Sequence, residues 1–235
     1  MNKENNFLDA LNDWGTILTN TYEDSFVFRI PSNMPNVPDG EFDSIKIKEK
    51  RLLIGKHVKT IGRGSFADTD FVSIEFEEGC QLTSIGDFAF KGCKQLTGDL
   101  LLPNTVEYVG EFAFMEARFN HVNIPTNLKS FTTFGLVNLN FDEFIIPPSV
   151  ELIQFVGMSR WTINHDLVIP PTVKTLEISS FNYLNVKTVY VPYGIKLPKN
   201  PNHIIDVDED QIQIKRYQRK NYKNILNRAL MNKYN

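Results

Sequence analysis

The segment that decides the fold is LTSIGDFAFKGCKQL, residues 82–96. It joins an apolar residue, an Ile-Gly step, an aromatic-Ala-aromatic triplet and a cysteine in one short stretch. Related stretches lie on both sides, since Ile61-Gly62 leads to Ser65-Phe66-Ala67 and Val109-Gly110 leads to Phe112-Ala113-Phe114. The same residue types return in the same order, so the segment is one unit of an internal repeat. Later units keep only the aromatic, at Phe134, Phe155 and Phe181.

Each unit also contains a short apolar strand that ends at a Pro or Gly anchor, with another apolar residue three positions later. Leu100-Leu101-Leu102 before Pro103 is an example. The anchors are spaced 24, 24, 22, 22, 23 and 22 residues apart, a regularity that indicates a solenoid. Arg29-Ile30-Pro31 lies 24 residues before the first anchor and is interpreted as a degenerate first unit. The anchors are Gly55, Gly79, Pro103, Pro125, Pro147, Pro170 and Pro192.

This pattern resembles the BspA-type leucine-rich repeat family, and the resemblance covers about Ile45 to Ile195. Residues 82–96 carry the family's order of Leu, Ile-Gly, Ala-Phe and Cys most completely. The resemblance implies a mainly β repeat solenoid, a leucine-rich-repeat arc of parallel short strands. Because an open solenoid must be capped, we also expect helical N- and C-terminal caps. The resemblance also implies that Cys93 occupies a buried structural position.

Three regions are predicted along the chain. Residues 1–44 form an N-terminal helix and irregular cap, residues 45–205 form about seven leucine-rich repeats of 22–24 residues, and residues 206–235 form a basic C-terminal helix. The N-terminal helix is placed at Asn5 to Thr19, where apolar residues recur at spacings of three and four. Units after Phe134 lose the Ile-Gly element, so the second half of the arc is expected to be irregular.

Composition excludes several classes of protein. A hydrophobic content of 42% supports a folded core, and no apolar run is long enough to span a membrane. The first residues contain no apolar segment of a signal peptide, so we expect a cytoplasmic protein. The two cysteines, Cys80 and Cys93, are too few for a disulfide scaffold and are expected to be free and buried.

Catalytic and metal-binding patterns are weak in this sequence. His121 is expected to lie between Asp99 and Glu143 on neighbouring strands, but no second histidine or cysteine joins them, and zinc requires three or four such ligands. Ser65 and Ser73 lack a base and an orienting acid, and no phosphate-binding glycine loop occurs. The sequence therefore predicts a protein that is not an enzyme and that has no cofactor and no metal site.

The strand pattern predicts a binding surface instead, because solenoids usually bind on the concave strand face. Alternation along each strand turns its middle residue outward. We call these residues the central column: Leu53, Glu75, Leu101, Asn123, Ile145, Val168 and Tyr190. We call the residues two positions earlier the flanking column: Arg51, Ser73, Asp99, His121, Glu143, Asp166 and Thr188. The partner-binding residues predicted from both columns are Glu75, Asp99, Leu101, His121, Asn123, Glu143, Ile145, Asp166, Val168 and Tyr190.

The charge distribution is uneven along the chain. The formal net charge of −3 divides into an acidic body of −10 and a tail, residues 211–235, of +7 with no acid. Two interpretations of the tail are open. It is a cap helix docked by its apolar residues, or it contacts nucleic acid or another polyanion. The residues that would bind nucleic acid are Lys215, Arg216, Arg219, Lys220 and Lys223.

The preferred hypothesis is a protein-protein interaction module that binds a protein partner through its concave strand face. One form of it is a phage or viral inhibitor of a host complex, suggested by an Asn-, Lys- and Ile-rich composition. The alternatives are a nucleic-acid-associated protein that uses the C-terminal tail, and a structural or assembly component of a virus particle. The oligomeric state is left open.

Overall fold

The computed structural model describes residues 27–46, 50–131, 136, 139–153, 161–176, 184–196 and 213–232. The N-terminal helix predicted at Asn5 to Thr19 lies outside the described residues. The strands, in chain order, are β1 Val27–Arg29, β2 Asn36–Val37, β3 Arg51–Ile54, β4 Thr60–Ile61, β5 Ser73–Phe76, β6 Ser84–Ile85, β7 Asp99–Leu100, β8 Tyr108–Val109, β9 His121–Val122, β10 Ser130–Phe131, β11 Asn140–Phe141, β12 Leu152–Ile153, β13 Thr162–Ile163, β14 Leu167–Val168, β15 Thr175–Leu176, β16 Thr188–Pro192 and β17 Gln213–Tyr217. One α-helix, α1 (Tyr222–Met231), lies in the described part of the chain, after a 3₁₀ turn at Arg219–Asn221.

The strands form parallel ladders in which each strand pairs with one from the next repeat. The first ladder contains the sheets β1-β3-β5, β7-β9 and β14-β16-β17. The second ladder contains the sheets β2-β4-β6-β8 and β10-β12-β15, and β4, β6 and β8 end at the Ile-Gly or Val-Gly step. Partners in register lie one repeat apart, as in Leu52 with Ile74 and Asp99 with His121. The predicted mainly β solenoid of parallel short strands is confirmed.

The repeats extend beyond the predicted limits of 45–205. β1 pairs with β3 and β2 pairs with β4, so residues 27–37 belong to the solenoid and not to an irregular cap. β17 pairs with β16 and adds a rung at the other end. The pairing of β1 agrees with the interpretation of Arg29-Ile30-Pro31 as a degenerate first unit. The strand at residues 213–217 was not predicted, because these residues are too polar to resemble a strand of the repeat.

The core of the first half contains a column of stacked phenylalanine rings. Phe42, Phe66, Phe90 and Phe114 are fully buried, and successive rings lie 5.0, 5.2 and 5.2 Å apart between centroids. This spacing is close to the separation of about 4.8 Å between neighbouring strands, so one ring follows each rung. The aromatic of each repeat therefore fills the space between the two ladders.

Tight turns place those rings. In successive repeats Gly40, Gly64, Phe88 and Phe112 occupy the same turn position, with φ of 63°, 60°, 56° and 54°. The Ile-Gly glycines have no room for a side chain, since a Cβ on Gly86 would lie 2.7 Å from the backbone of Arg63. The glycine of the motif is thus required by close contact between successive turns.

In the second half, the second ladder continues as β10-β12-β15, whereas the described strands of the first ladder are interrupted between β9 and β14. β11 and β13 form a separate parallel pair, and Trp161 is fully buried against Phe141 and Phe144. The imidazole of His165 is also buried, and its Nε2 accepts a 2.8 Å hydrogen bond from the Phe144 amide. A side chain therefore takes the place of a backbone acceptor at this rung.

The cysteines are both free and buried, as predicted. The Cys93 sulfur lies 3.1 Å from the Phe66 carbonyl oxygen and 3.2 Å from the Thr69 hydroxyl. Burial raises the pKa of both thiols above their ordinary value. They stay protonated at neutral pH and are poor nucleophiles.

Candidate functional site

The first ladder presents the central column outward over the middle rungs. Leu101 is 62% exposed although Leu100 and Leu102 are buried, and Ile145 is 42% exposed between buried Phe144 and Ile146. In each case one exposed apolar residue lies between two buried ones, which is the alternation typical of an extended segment. The two leave an apolar strip on the strand face that no described part of the chain covers.

An ion pair limits this strip toward the N-terminus. Two nitrogens of the Arg51 guanidinium lie 2.8 Å from the two carboxylate oxygens of Glu75, the next residue of the central column. The hydrogen bond with Arg51 lowers the pKa of Glu75 below its ordinary value. Glu75 is therefore ionised at neutral pH and already engaged by its own chain.

Asn123 lies between the two exposed apolar residues, and its amide is engaged by the backbone. Its side-chain oxygen accepts a 2.6 Å hydrogen bond from the Leu102 amide, and its nitrogen donates at 2.8 Å to the Leu102 carbonyl. This double contact extends the ladder where β7 ends. Asn123 thus supports the rung that carries Leu101, and its half-buried side chain leaves little free hydrogen-bonding capacity for a partner.

The flanking column is acidic beside the strip. Asp99 and His121 form an exposed contact of 2.8 Å between Oδ1 and Nδ1, and Glu143 is exposed on the following rung. A shallow pocket of about 240 Å³ opens between β9 and β11, next to this pair. It is lined by Asn120, His121, Val122, Leu139, Asn140, Phe141, Asp142 and Glu143.

The prediction that the strand face is open along its whole length is wrong at its C-terminal end. Val168 of the central column is 3% exposed, and Asp166 and Thr188 of the flanking column are buried as well. Tyr190 is half-buried. The cause is α1, which packs on this end of the strand face, and that contact could not be located from the apolar residues of the tail alone.

The tail forms a strand and then a docked helix. Tyr217, at the end of β17, donates a 2.5 Å hydrogen bond to the Ile169 carbonyl, and Asn232, after α1, donates at 3.0 Å to the Asp166 carboxylate. The predicted C-terminal helix is therefore shorter than residues 206–235 and begins at Tyr222. A small second core joins the two parts: Val168, Tyr217 and Ala229, with Tyr190, Tyr222, Ile225 and Leu226 packed against them.

The basic residues proposed to bind nucleic acid are separated by this arrangement. Lys215 places its ammonium 5.8 Å from the centre of the Tyr190 ring, and Arg216 donates to the carbonyls of Pro192 and Ile195 at 3.2 and 2.9 Å. Arg219 and Lys220 lie in the 3₁₀ turn, and Lys223 lies on α1, all three exposed. The structure brings none of these five into a cluster with a described acid.

A second exposed apolar surface lies on the turns, and the sequence analysis did not identify it. Phe88 and Phe112 stack at 5.7 Å between centroids, and both are only half-buried. Tyr108 and Met115 nearby in the repeat are exposed. The available signal was the 24-residue spacing, which aligns the two phenylalanines with Gly40 and Gly64, that is, with a turn rather than with the interior.

The potential metal ligands and Ser65 have the following surroundings in the described residues. They include no group of three or more histidine, cysteine, aspartate or glutamate residues that could hold a metal ion. Ser65 is buried, with its hydroxyl 2.8 Å from the carbonyl oxygens of Pro38 and Gly62. No helix in the described ranges is long and apolar enough to cross a membrane.

Comparison with known proteins agrees with the repeat pattern. The model of the BspA type leucine rich repeat region matches six copies, over residues 21–98 and 83–200. Among solved structures, a leucine rich cell surface protein from Faecalibacterium prausnitzii is 14% identical, with a TM-score of 0.42; the match covers 69% of this chain and 60% of that one. The chain therefore spans less than two thirds of that protein. No curated protein sequence matches the chain.

Proposed function

Because the chain belongs to the BspA-type leucine-rich repeat family, we propose that it is a protein-protein interaction module whose partner binds the open part of the strand face. The protein acts as a scaffold and carries out no reaction. Its partner contacts the apolar residues of the central column, and the flanking column forms a polar rim beside them. An apolar centre with a polar rim is the usual composition of a specific interface.

The observation that carries this proposal is the exposure of Leu101 and Ile145. Each is flanked on both sides by buried residues, so the fold holds the backbone in the core while the side chain faces outward. Exposed apolar surface on a rigid scaffold is a common mark of a protein contact site. Asp99 and Glu143 beside it supply negative charge, which would orient a partner rather than dominate its affinity.

We also propose a cytoplasmic location for the protein. The cytoplasm would keep Cys80 and Cys93 reduced, which suits two buried free thiols. One class of partner in the cytoplasm is a host complex. In that case the chain would be a phage or viral protein that inhibits the complex by binding it through the strand face. The composition suggests this setting, and the strand face would serve any protein partner equally.

The test is an affinity purification from the natural lysate after nuclease treatment, with the double variant Leu101→Glu/Ile145→Glu beside the wild type. Both positions are exposed, so we expect the variant to fold and to lose the stoichiometric partner. Tyr193→Glu is the matched control, because Tyr193 is an exposed apolar residue outside both columns. Recovery of the same partner by the folded double variant would sink the proposal. Recovery of nucleic acid alone, from lysate without nuclease treatment, would support the alternative that the basic tail binds nucleic acid.

A further inference from the structure

The strand face already holds one helix, and that helix shows what the face accepts. α1 presents Tyr222, Ile225, Leu226 and Ala229, spaced three and four residues apart, to the end of the solenoid. This spacing places the four side chains on one side of a helix. They pack around Val168 and Tyr190, which are two successive members of the central column. An amphipathic helix is thus a natural occupant of the column.

α1 also reaches the flanking column. The side-chain nitrogen of Asn232, directly after the helix, donates a 3.0 Å hydrogen bond to a carboxylate oxygen of Asp166. Asp166 is the flanking residue of the same rung as Val168. The intramolecular contact therefore uses both columns in the same way as the proposed interface, with apolar residues on the centre and a donor on the acid.

The uncovered repeats precede this surface in the chain, between the paired strands β7 and β9 and the strand β14, and residues 143–146 belong to no described strand. In the repeat order Ile145, Asn123 and Leu101 precede Val168 in the central column, and the Arg51–Glu75 ion pair ends the apolar strip beyond them. Rungs lie about 4.8 Å apart, so the step from Val168 to Leu101 is about 14 Å. A helix of about ten residues spans that length, which is the size of a typical helix in a folded protein.

The charges favour a basic occupant. Asp99, Asp142 and Glu143 are exposed along the strip, and the body of the chain has a net charge of −10 outside the tail. The tail that supplies α1 contains seven basic residues and no acid. The face and the helix already seated on it are therefore of opposite charge, which favours encounter and orientation between them.

We propose that the partner contributes an amphipathic helix with basic flanks, which lies across the rungs of Leu101, Asn123 and Ile145 as α1 lies across those of Val168 and Tyr190. This inference rests on the proposed function and names the chemistry of its ligand. The contact belongs to the helix-in-groove class of recognition, in which apolar anchors lie one helical turn apart. Addition of a partner strand would need a sheet edge, whereas Leu101, directly after β7, and Ile145 are exposed between buried neighbours.

The test uses the full chain and a defined probe. The probe is a labelled, end-capped peptide of this chain's residues 219–232, which contains the α1 sequence, and binding is followed by fluorescence anisotropy at low and moderate salt. We expect saturable binding that Ile145→Glu weakens about tenfold or more. Met115→Glu, on the exposed turn surface, is the matched control and should leave binding unchanged. A second peptide with Glu at positions 219, 220, 223 and 228 should bind about tenfold more weakly than the first.

Three outcomes would overturn the inference: absence of binding, equal binding by Ile145→Glu, or equal binding of the charge-inverted peptide. Equal binding by Ile145→Glu would place the peptide elsewhere, for example at the site of α1 after displacement. The failures are distinguishable. If the double variant Leu101→Glu/Ile145→Glu still recovers the partner from lysate, the proposed function fails. If it loses the partner but the peptide experiments fail, only the helical, basic character of the ligand is wrong.

Discussion

The Tyr217 hydroxyl donates a 2.5 Å hydrogen bond to the carbonyl oxygen of Ile169, 48 residues earlier in the chain. The bond joins β17 to the segment after β14, two rungs away, and both groups are buried. Tyr222, whose ring stacks on that of Tyr217, has a buried hydroxyl with no hydrogen-bond partner among the described residues. Two neighbouring tyrosines of the tail thus differ in one respect that can be measured.

Removing each hydroxyl should have opposite consequences. Tyr217→Phe leaves the Ile169 carbonyl without its donor, and we expect it to lower the free energy of unfolding by about 1–2 kcal/mol. Tyr222→Phe removes a buried polar group that forms no bond and should be neutral or slightly stabilising. Urea denaturation of both variants measures the difference. Equal destabilisation by the two substitutions would contradict the assignment of the hydrogen bond.

Alkaline pH should release the same contact. Burial, and secondarily the neighbouring Tyr222, raises the pKa of Tyr217 well above its ordinary value of 10. A group whose pKa is higher in the folded state stabilises the fold below its unfolded pKa, and that contribution is lost as pH rises above it. We expect the stability of the wild type to fall above pH 10 by up to about 1.4 kcal/mol per pH unit more than that of Tyr217→Phe.

The measurement is urea denaturation of both proteins at pH 8, 9, 10 and 11. Burial also raises the pKa of Cys80 and Cys93, but these thiols are common to the two proteins and cancel in the difference. Parallel stability curves above pH 10 would show that Tyr217 does not titrate with unfolding.

The ladders could be predicted from the sequence because the residues that form them recur once in each repeat. Each Ile-Gly or Val-Gly step closes a strand of the second ladder, from Thr60–Ile61 to Tyr108–Val109, and the anchors Gly55, Gly79, Pro103, Pro125 and Pro170 come shortly after strands of the first. Close contact between turns enforces the same residue type at Gly62, Gly86 and Gly110, so the physical requirement is visible as a period. A feature required once per repeat can be recognised from one chain without any relative.

Substitution of alanine for Gly86 and for Gly55 tests that explanation. A Cβ on Gly86 would lie 2.7 Å from the backbone nitrogen of Arg63, whereas a Cβ on Gly55 would lie 2.7 Å from the side chain of His57. The backbone of the preceding turn at Arg63 cannot move away from a new Cβ, but the imidazole ring of His57 can. We expect Gly86→Ala to lower the free energy of unfolding by about 2–3 kcal/mol. Gly55→Ala should lower it by about 1 kcal/mol, a cost that includes loss of the hydrogen bond between His57 and the Pro31 carbonyl. Thermal or urea denaturation of the two variants decides it, and equal costs would contradict the explanation.

Backbone strain at Phe88 can be measured in a similar way. Its φ of 56° disfavours any side chain, and Gly64 occupies the same position one repeat earlier. We expect Phe88→Gly to be more stable than Phe88→Ala by about 1 kcal/mol, because only glycine relieves the strain. The control is Ala89→Gly, next to it and buried, which should be destabilising. A Phe88→Ala variant as stable as Phe88→Gly would show that the turn relaxes when the ring is removed.

The candidate site was predicted less completely than the fold. Alternation of apolar residues correctly placed Leu101 and Ile145 outward between buried neighbours, although Leu101 follows β7 and Ile145 lies outside the described strands. It could not show that Val168 and Asp166 are covered, since that cover comes from α1, more than 50 residues later. Nor could it show that Arg51 engages Glu75 or that Asn123 binds the Leu102 backbone, because these contacts depend on side-chain geometry between rungs. Features set within a single strand were predictable, whereas features set by packing between distant segments were not.

The last described rung, β17, has a consequence for aggregation. In the part of the chain that the structure describes, no strand pairs with the far side of β17, and a solenoid that ends in an open strand offers its unpaired backbone to the next molecule. The same in-register stacking that orders the phenylalanine rings inside the molecule would then propagate between molecules as a fibre. Lys215 and Arg216, exposed on β17, place like charges on that edge and oppose it. We therefore expect the loss of these two charges to favour association between molecules through β17.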